Sequence, residues 1–320
     1  MTRDAAAVTP WRDLDAATRE REYSPSSCIG GNYQPFIQAY IERSRDARSR
    51  TPGRLDLAYG PGPSQRLDLF VPAPRPGGAA LAPVLVFIHG GYWQELSKSE
   101  SAFAAGQCAA QGIALAALDY TLAPRASVAE MVVECRAAVA WLEDHALMLG
   151  LDAGRIVVAG SSAGAHLAAM TALAGLSGVS GVGGLGGVGG VGGTSGANVA
   201  PAALAPRIRG VVLVSGIYEL EPLVGTSINA ALRMTPESAR ELSPALRDLR
   251  GFPQTVMCWG EVETREFKRQ SRDFAALLER ACTPCEAFEV PQRNHFDVIL
   301  DLADPGTALG RALMNLIRSL

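Results

Sequence analysis

The sequence predicts an α/β protein: a mostly parallel central sheet with helices on both faces, preceded by an N-terminal helical extension. Three observations carry this reading. Continuous apolar runs such as VLVFIH (84–89) have the composition of strands buried on both faces. These runs alternate with longer segments whose apolar residues fall at helical spacing. The opening 60 residues, by contrast, are polar and rich in arginine. In a chain of 320 residues this suggests an extension (1–60) packed on one main domain (61–320).

Taken in order, IQAYIERSRDARSR reads as an amphipathic helix near 34–49, able to lie partly over the active face. QRLDLFVP (65–72) alternates apolar and polar residues and ends at proline, as a half-buried antiparallel strand does. APRPGGAALAP (73–83) is a loop, and VLVFIH follows as a buried strand. A helix over 99–111 leads into a strand at 113–120, and a longer helix at about 127–148 places Val128, Met131, Val132, Cys135, Val139 and Leu142 on one face. Strand 155–159, a helix from Ser162, strands 208–216 and 254–260, helix 265–281, strand 285–290 and a helix near 304–319 complete the pattern. One stretch breaks it: GLSGVSGVGGLGGVGGVGGTSGAN (175–198) is of low complexity, too short for collagen and free of proline, and reads as a flexible insertion.

Bulk properties exclude several classes. With 29 basic and 32 acidic residues the net charge is −3, and no basic run suits nucleic acid or an anionic membrane. No apolar stretch approaches the ~18–20 residues that span a bilayer. The first residues lack the apolar core of a signal peptide. Of six cysteines only Cys282 and Cys285 form a CxxC, with no second pair to complete a zinc site, so reduced thiols in a cytoplasmic protein are expected. No nucleotide fingerprint is present, and no metal or other cofactor is called for. A homodimer is an expectation without a sequence signal of its own.

The chemistry gathers around RIVVAGSSAGAHLAAM (155–170). Gly160-Ser161-Ser162-Ala163-Gly164 matches G-x-S-x-G at a strand-to-helix junction, with Ser162 in the central position. A nucleophile elbow strains its serine, and small neighbours let helix and strand approach; the new helix aims its N–H groups at an anion on the substrate. Such a pattern also arises by chance in glycine- and serine-rich chains, but here it stands in the strand-turn-helix context that the chemistry requires. A serine nucleophile needs a base, an orienting acid and an oxyanion hole. Of the four histidines, His145 reads as exposed on a helix and His166 as a packing residue on the nucleophile helix. His295, in the loop after the last strand, stands where the base belongs. His89 opens HGGYW at the end of a buried strand, where such enzymes present backbone N–H groups, and reads as loop-shaping. The acid belongs after strand 254–260: Glu261 and Glu263 both qualify by position, and Glu266, inside the helix, is weakest. Serine, acid, histidine is the chain order of the α/β-hydrolases.

Together FIHGGYW, LDYTLAPRASVAEMVVECRAAVAWL, AGSSAGAHLAAM, VSGIYELEPL, EFKRQSRDFAALL and RNHFDVI resemble the kynurenine formamidases, a branch of the α/β-hydrolase superfamily. The resemblance runs from about Tyr23 to the C-terminus and is interrupted by the glycine-rich stretch. It implies an α/β-hydrolase fold, Ser162 as nucleophile and His295 as base. The family's acid lies three residues after the glycine that ends its strand, which implies Glu263, although many members carry aspartate there. It further implies hydrolysis of an N-formyl arylamine, N-formyl-L-kynurenine in tryptophan catabolism above all. The oxyanion would be held by the N–H groups of Gly91, Tyr92 and Ala163, with His89, Gly90, Trp93, Gly160 and Gly164 supporting the motifs and no cofactor. Tyr92 and Trp93, with Tyr23, Tyr120 and Tyr218, are candidates to line an aromatic-substrate pocket, Trp93 reading equally as core packing, and Arg125 is a candidate to meet its polar end or to form a surface ion pair. The competing readings are a carboxylesterase for small aryl or alkyl esters and a non-catalytic binding protein on the same fold.

Overall fold

The computed structural model describes residues 11–73, 81–173 and 207–320. The glycine-rich stretch and most of the loop at 73–83 lie outside them. Eight strands form one sheet: β1 (Gly53–Ala58), β2 (Arg66–Phe70), β3 (Ala82–Ile88), β4 (Ala114–Leu118), β5 (Leu151–Ser161), β6 (Ile208–Val214), β7 (Gln254–Val262) and β8 (Cys285–Asn294). Their order is β1-β2-β4-β3-β5-β6-β7-β8. β2 runs antiparallel to both β1 and β4, and every other pairing is parallel.

The alternation of side chains along the strands builds two cores. On one face Val84, Val86 and Ile88 meet α4 (Val128–Leu149), α5 (Ala163–Ala172) and α8 (Arg265–Arg280). On the other, Leu85 and Phe87 meet α2 (Gln34–Arg50), α3 (Ala105–Gln111) and α9 (Ala308–Ser319). β3 and β4 are buried along their whole length, which is why they read as unbroken apolar runs. Helix α4 starts where its chemistry says it should: Ser127 and Glu130 form a reciprocal capping box, and Gly150 ends the helix at φ +77°.

Several elements depart from the sequence reading. β1 falls among residues grouped with the extension; it is an edge strand, mostly exposed, with a register shift between Arg54 and Leu57. β2 is buried on both faces instead of half-buried, because Asp68 on its polar side is neutralised by Arg48 from α2 and by Lys98, each at 2.8 Å. The helix expected at 99–111 begins only at Ala105. Before it, Lys98–Glu100 makes a single 3₁₀ turn, with the Lys98 N–H on the Asp119 carboxylate at 2.6 Å and the Lys98 ammonium drawn to Asp68. The last helix starts at Ala308, after a turn in which Asp304 accepts the Gly306 N–H, and is capped by Thr307. β7 and β8 pair beyond Gly260 as far as Val262 and Asn294, so both strands outrun their apolar cores. Three short helices, α1 (Ala16–Glu22), α6 (Asn229–Leu232) and α7 (Pro236–Glu241), carry too few residues for a periodic signal.

Candidate active site

β5 ends at Ser161, and Ser162 turns the chain into α5 with φ 57° and ψ −121°, a strained conformation for a non-glycine residue. The turn is braced from outside, since the Ser162 N–H donates to the Val214 carbonyl of β6 at 2.8 Å. The flanking glycines are demanded by contact: a Cβ on Gly160 would fall 2.1 Å from the Gly164 carbonyl oxygen, and one on Gly164 would fall 2.1 Å from that of Ile88. Strand, turn and helix thus touch backbone to backbone, which the small residues of the motif allow.

The three candidate glutamates stand in different surroundings. Glu263, one residue past β7, is buried, and its Oε2 lies 3.1 Å from His295 Nδ1. Its Oε1 accepts the Gly260 N–H and the Ser215 hydroxyl, both at 2.6 Å. Glu261 is exposed and instead accepts the Gln292 N–H at 2.8 Å, tying β7 to β8. Glu266 is buried at the start of α8, where it accepts the Tyr23 hydroxyl at 2.7 Å and pairs with Arg269 at 2.8 Å. Glu263 faces Nδ1 of His295, so Nε2 is the ring nitrogen that does not meet the carboxylate. Phe267 packs edge-on against the imidazole with ring centroids 4.6 Å apart.

Ser162 and His295 line one cavity of about 270 Å³. The HGGYW segment lies against the serine: a Cβ on Gly90 would come within 2.8 Å of the Ser161 carbonyl oxygen and 3.3 Å of Ser162 Cβ. Gly91, Tyr92 and Trp93 all have positive φ (91°, 50° and 60°), and the Gly91 carbonyl accepts the N–H groups of Gln94 and Glu95. Among the described residues, the N–H groups of Gly91, Tyr92 and Ala163 donate to no carbonyl or side chain. Gly91 and Tyr92 line the same cavity as Ser162, and Ala163 follows the serine in the chain.

The other histidines serve packing. His89 is buried, with Nδ1 2.9 Å from the Gly90 carbonyl and its ring stacked on Tyr120; burial pushes its pKa down to about 4. His166 sets Nε2 2.7 Å from the Leu242 carbonyl and meets Trp93 edge-on, and burial likewise pushes it down to about 4. His145, expected to be exposed, is half-buried because its ring stacks on Trp141 and its Nδ1 meets the Trp141 carbonyl.

Of the aromatic candidates, Tyr23 and Tyr92 line the cavity, joined by a hydrogen bond from the Tyr92 hydroxyl to the Tyr23 carbonyl. Trp93 is core: it is fully buried against His166 and does not reach the cavity. Tyr120 lies beneath His89, and Tyr218 stacks on Phe274; neither lines the cavity. Arg125 is exposed and away from it. The sequence reading missed the wall made by Tyr33, Ile37 and Phe296, where Tyr33 and Phe36 stack on Phe296 and the Tyr40 hydroxyl donates to its carbonyl. It also missed Ser215, for which the only signal was its place at the carboxyl end of a parallel strand.

Residues 67–223 match the family model described as BD-FAE. The chain is 30% identical to a kynurenine formamidase of Salmo salar over 97% of its own length and 99% of that protein's. It is 28% identical to one of Danio rerio over the same shares. Among solved structures, a candidate thioesterase from a Silicibacter species superposes with a TM-score of 0.72 at 28% identity, covering 93% of this chain and 98% of that one. An esterase of Pyrobaculum calidifontis, at a TM-score of 0.64 and 20% identity over 96% and 94%, shares the fold. With near-complete coverage at this identity, the chain belongs to the kynurenine formamidase family of α/β-hydrolases.

Proposed function

We propose that the protein is a serine hydrolase that cleaves the formamide of an N-formyl arylamine, N-formyl-L-kynurenine foremost. The observation that carries this reading is the His295–Glu263 contact beside a strained Ser162 in one cavity that Tyr23, Tyr33, Tyr92 and Phe296 help to line. In this mechanism His295 Nε2 takes the Ser162 hydroxyl proton as Oγ bonds to the formyl carbon. The carbonyl electron pair moves onto oxygen, where the N–H groups of Gly91, Tyr92 and Ala163 receive it. The C–N bond then breaks, His295 returns its proton to the departing arylamine, and a formyl ester remains on Ser162. Water, deprotonated by His295, attacks that ester, and formate leaves as Ser162 regains a proton. An arylamine is a better leaving group than an alkylamine, so this amide approaches an ester in difficulty.

The cavity bears on the substrate's polar end. Its lining includes Glu20, Glu95 and Glu100 and, among the described residues, no lysine or arginine. The ammonium of a kynurenine-like substrate has carboxylates to pair with there, and its carboxylate has no cation. That absence favours one second reading, a carboxylesterase for small uncharged aryl or alkyl esters. Formate release from N-formylkynurenine by the purified protein, beside its Ser162→Ala variant and beside p-nitrophenyl acetate as substrate, separates them. Turnover of the formamide that the variant loses is expected. Serine-dependent cleavage of the ester alone would overturn the formamidase reading and leave the hydrolase.

A further inference from the structure

Ser215 follows β6, is fully buried and holds its backbone at φ 51°. A left-handed conformation costs an L-residue roughly 1 kcal/mol, and the next residue, Gly216, would bear it freely. What a serine supplies here is its hydroxyl, which donates to Glu263 Oε1 at 2.6 Å. The same oxygen takes the Gly260 N–H, so both anchors lie on Oε1, and Oε2 is the atom left for His295. Glutamate has one more rotatable bond than aspartate, and a carboxylate on the longer arm needs more restraint to keep one face toward the imidazole. The neighbouring bonds complete the brace. The Ser215 N–H donates to the Cys258 carbonyl of β7 at 2.8 Å, and the carbonyl of Val214, one residue before, holds the Ser162 N–H. Two consecutive residues at the end of β6 are therefore bonded to the nucleophile's backbone on one side and to the acid's carboxylate on the other.

We propose that Ser215 is a positioning residue for the reaction: its hydroxyl keeps Glu263 in the conformation that presents Oε2 to His295. The inference rests on Glu263 being the acid of the site. It predicts a coupling between the two residues that general stability would not produce.

The test measures kcat and KM for p-nitrophenyl acetate, an ester that both substrate readings accept, in the wild type, Ser215→Ala, Glu263→Ala and the double variant. Ser215→Ala should lower kcat about tenfold with KM changed less than about twofold, the scale of one lost hydrogen bond to a charged group. Introduced into Glu263→Ala, the same change should cost less than about twofold, because the group it positions is gone. Ser215→Gly, which relieves the backbone, should lose the same tenfold while melting no lower than Ser215→Ala. An equal loss in both backgrounds would overturn the inference, and so would full kcat in Ser215→Gly. Unchanged kcat in Glu263→Ala would overturn the assignment of the acid itself, and the inference with it.

Discussion

Two regions meet at the cavity, and they are built by different means. The carboxyl end of the sheet supplies Ser162, Glu263, His295 and the HGGYW segment, each set by the register of a parallel strand and a tight turn. The N-terminal segment supplies Tyr23, Tyr33 and Ile37, and it is held by side chains reaching more than 200 residues along the chain. The Trp11 indole N–H donates to Glu219, the Tyr23 hydroxyl to Glu266, and the Thr264 hydroxyl to the Glu22 carbonyl. The first region places its side chains through strand register and turns of the backbone. The second places a wall through individual polar contacts, each worth only about 1 kcal/mol. Chemistry and recognition should therefore respond separately to substitution.

The sharpest contrast lies inside the first region. Glu263→Ala should lower kcat by roughly 10²–10⁴-fold, whereas Glu261→Ala, two residues away, should stay within about twofold. Comparable losses from both would mean that the buried contact is not what matters. The next largest effect is on stability. His89 and His166 are buried as neutral imidazoles with pKa values pushed down to about 4, against an ordinary 6.5. Below 6.5 the unfolded chain binds protons that the folded one refuses, so stability present at neutral pH is lost as pH falls from 6.5 towards 4. The loss is about 3 kcal/mol for each histidine. Urea midpoints at pH 7, 5.5 and 4.5 should decline accordingly. His166→Gln, which can still donate to the Leu242 carbonyl but does not titrate, should flatten part of the slope.

Smaller effects belong to the wall. Tyr23→Phe removes a donor to Glu266 and an acceptor from the Gln270 amide. It should cost about 1–2 kcal/mol in stability and raise KM several-fold while kcat changes little. A loss confined to kcat would show that this segment acts on the reacting groups and not on the wall. Smallest is the response to substrate charge. Removing the ammonium of N-formylkynurenine should lower kcat/KM by about fivefold, and removing its carboxylate should not lower it at all. The reverse order would require a cation that the described lining does not contain.

The catalytic side was far more legible in the sequence than the wall. Gly160 and Gly164 announce the elbow because a Cβ on either would fall 2.1 Å from a backbone oxygen, a local constraint that leaves a local mark. Glu261 and Glu263 were inseparable by position, because the irregular β7–β8 pairing between Gly260 and Val262 sets where each of them lies. Trp93 read equally as a pocket aromatic or as core, and the turn that follows Gly91 buries it against His166. Ser215 carried almost no signal, since its value lies in an acid 48 residues later.

The sequence by itself determined the alternation of strands and helices, the strand-turn-helix junction at Ser162, and the chain order of that serine, two candidate glutamates and His295. All of these follow from the period of apolar residues and from turn chemistry, which act over a few residues. Only the tertiary structure decided which glutamate meets His295, which aromatics reach the cavity, and which residues of the N-terminal segment form its wall. Those outcomes depend on side chains brought together from distant parts of the chain, where the gain of a buried hydrogen bond or a stacked ring exists only once the sheet has formed.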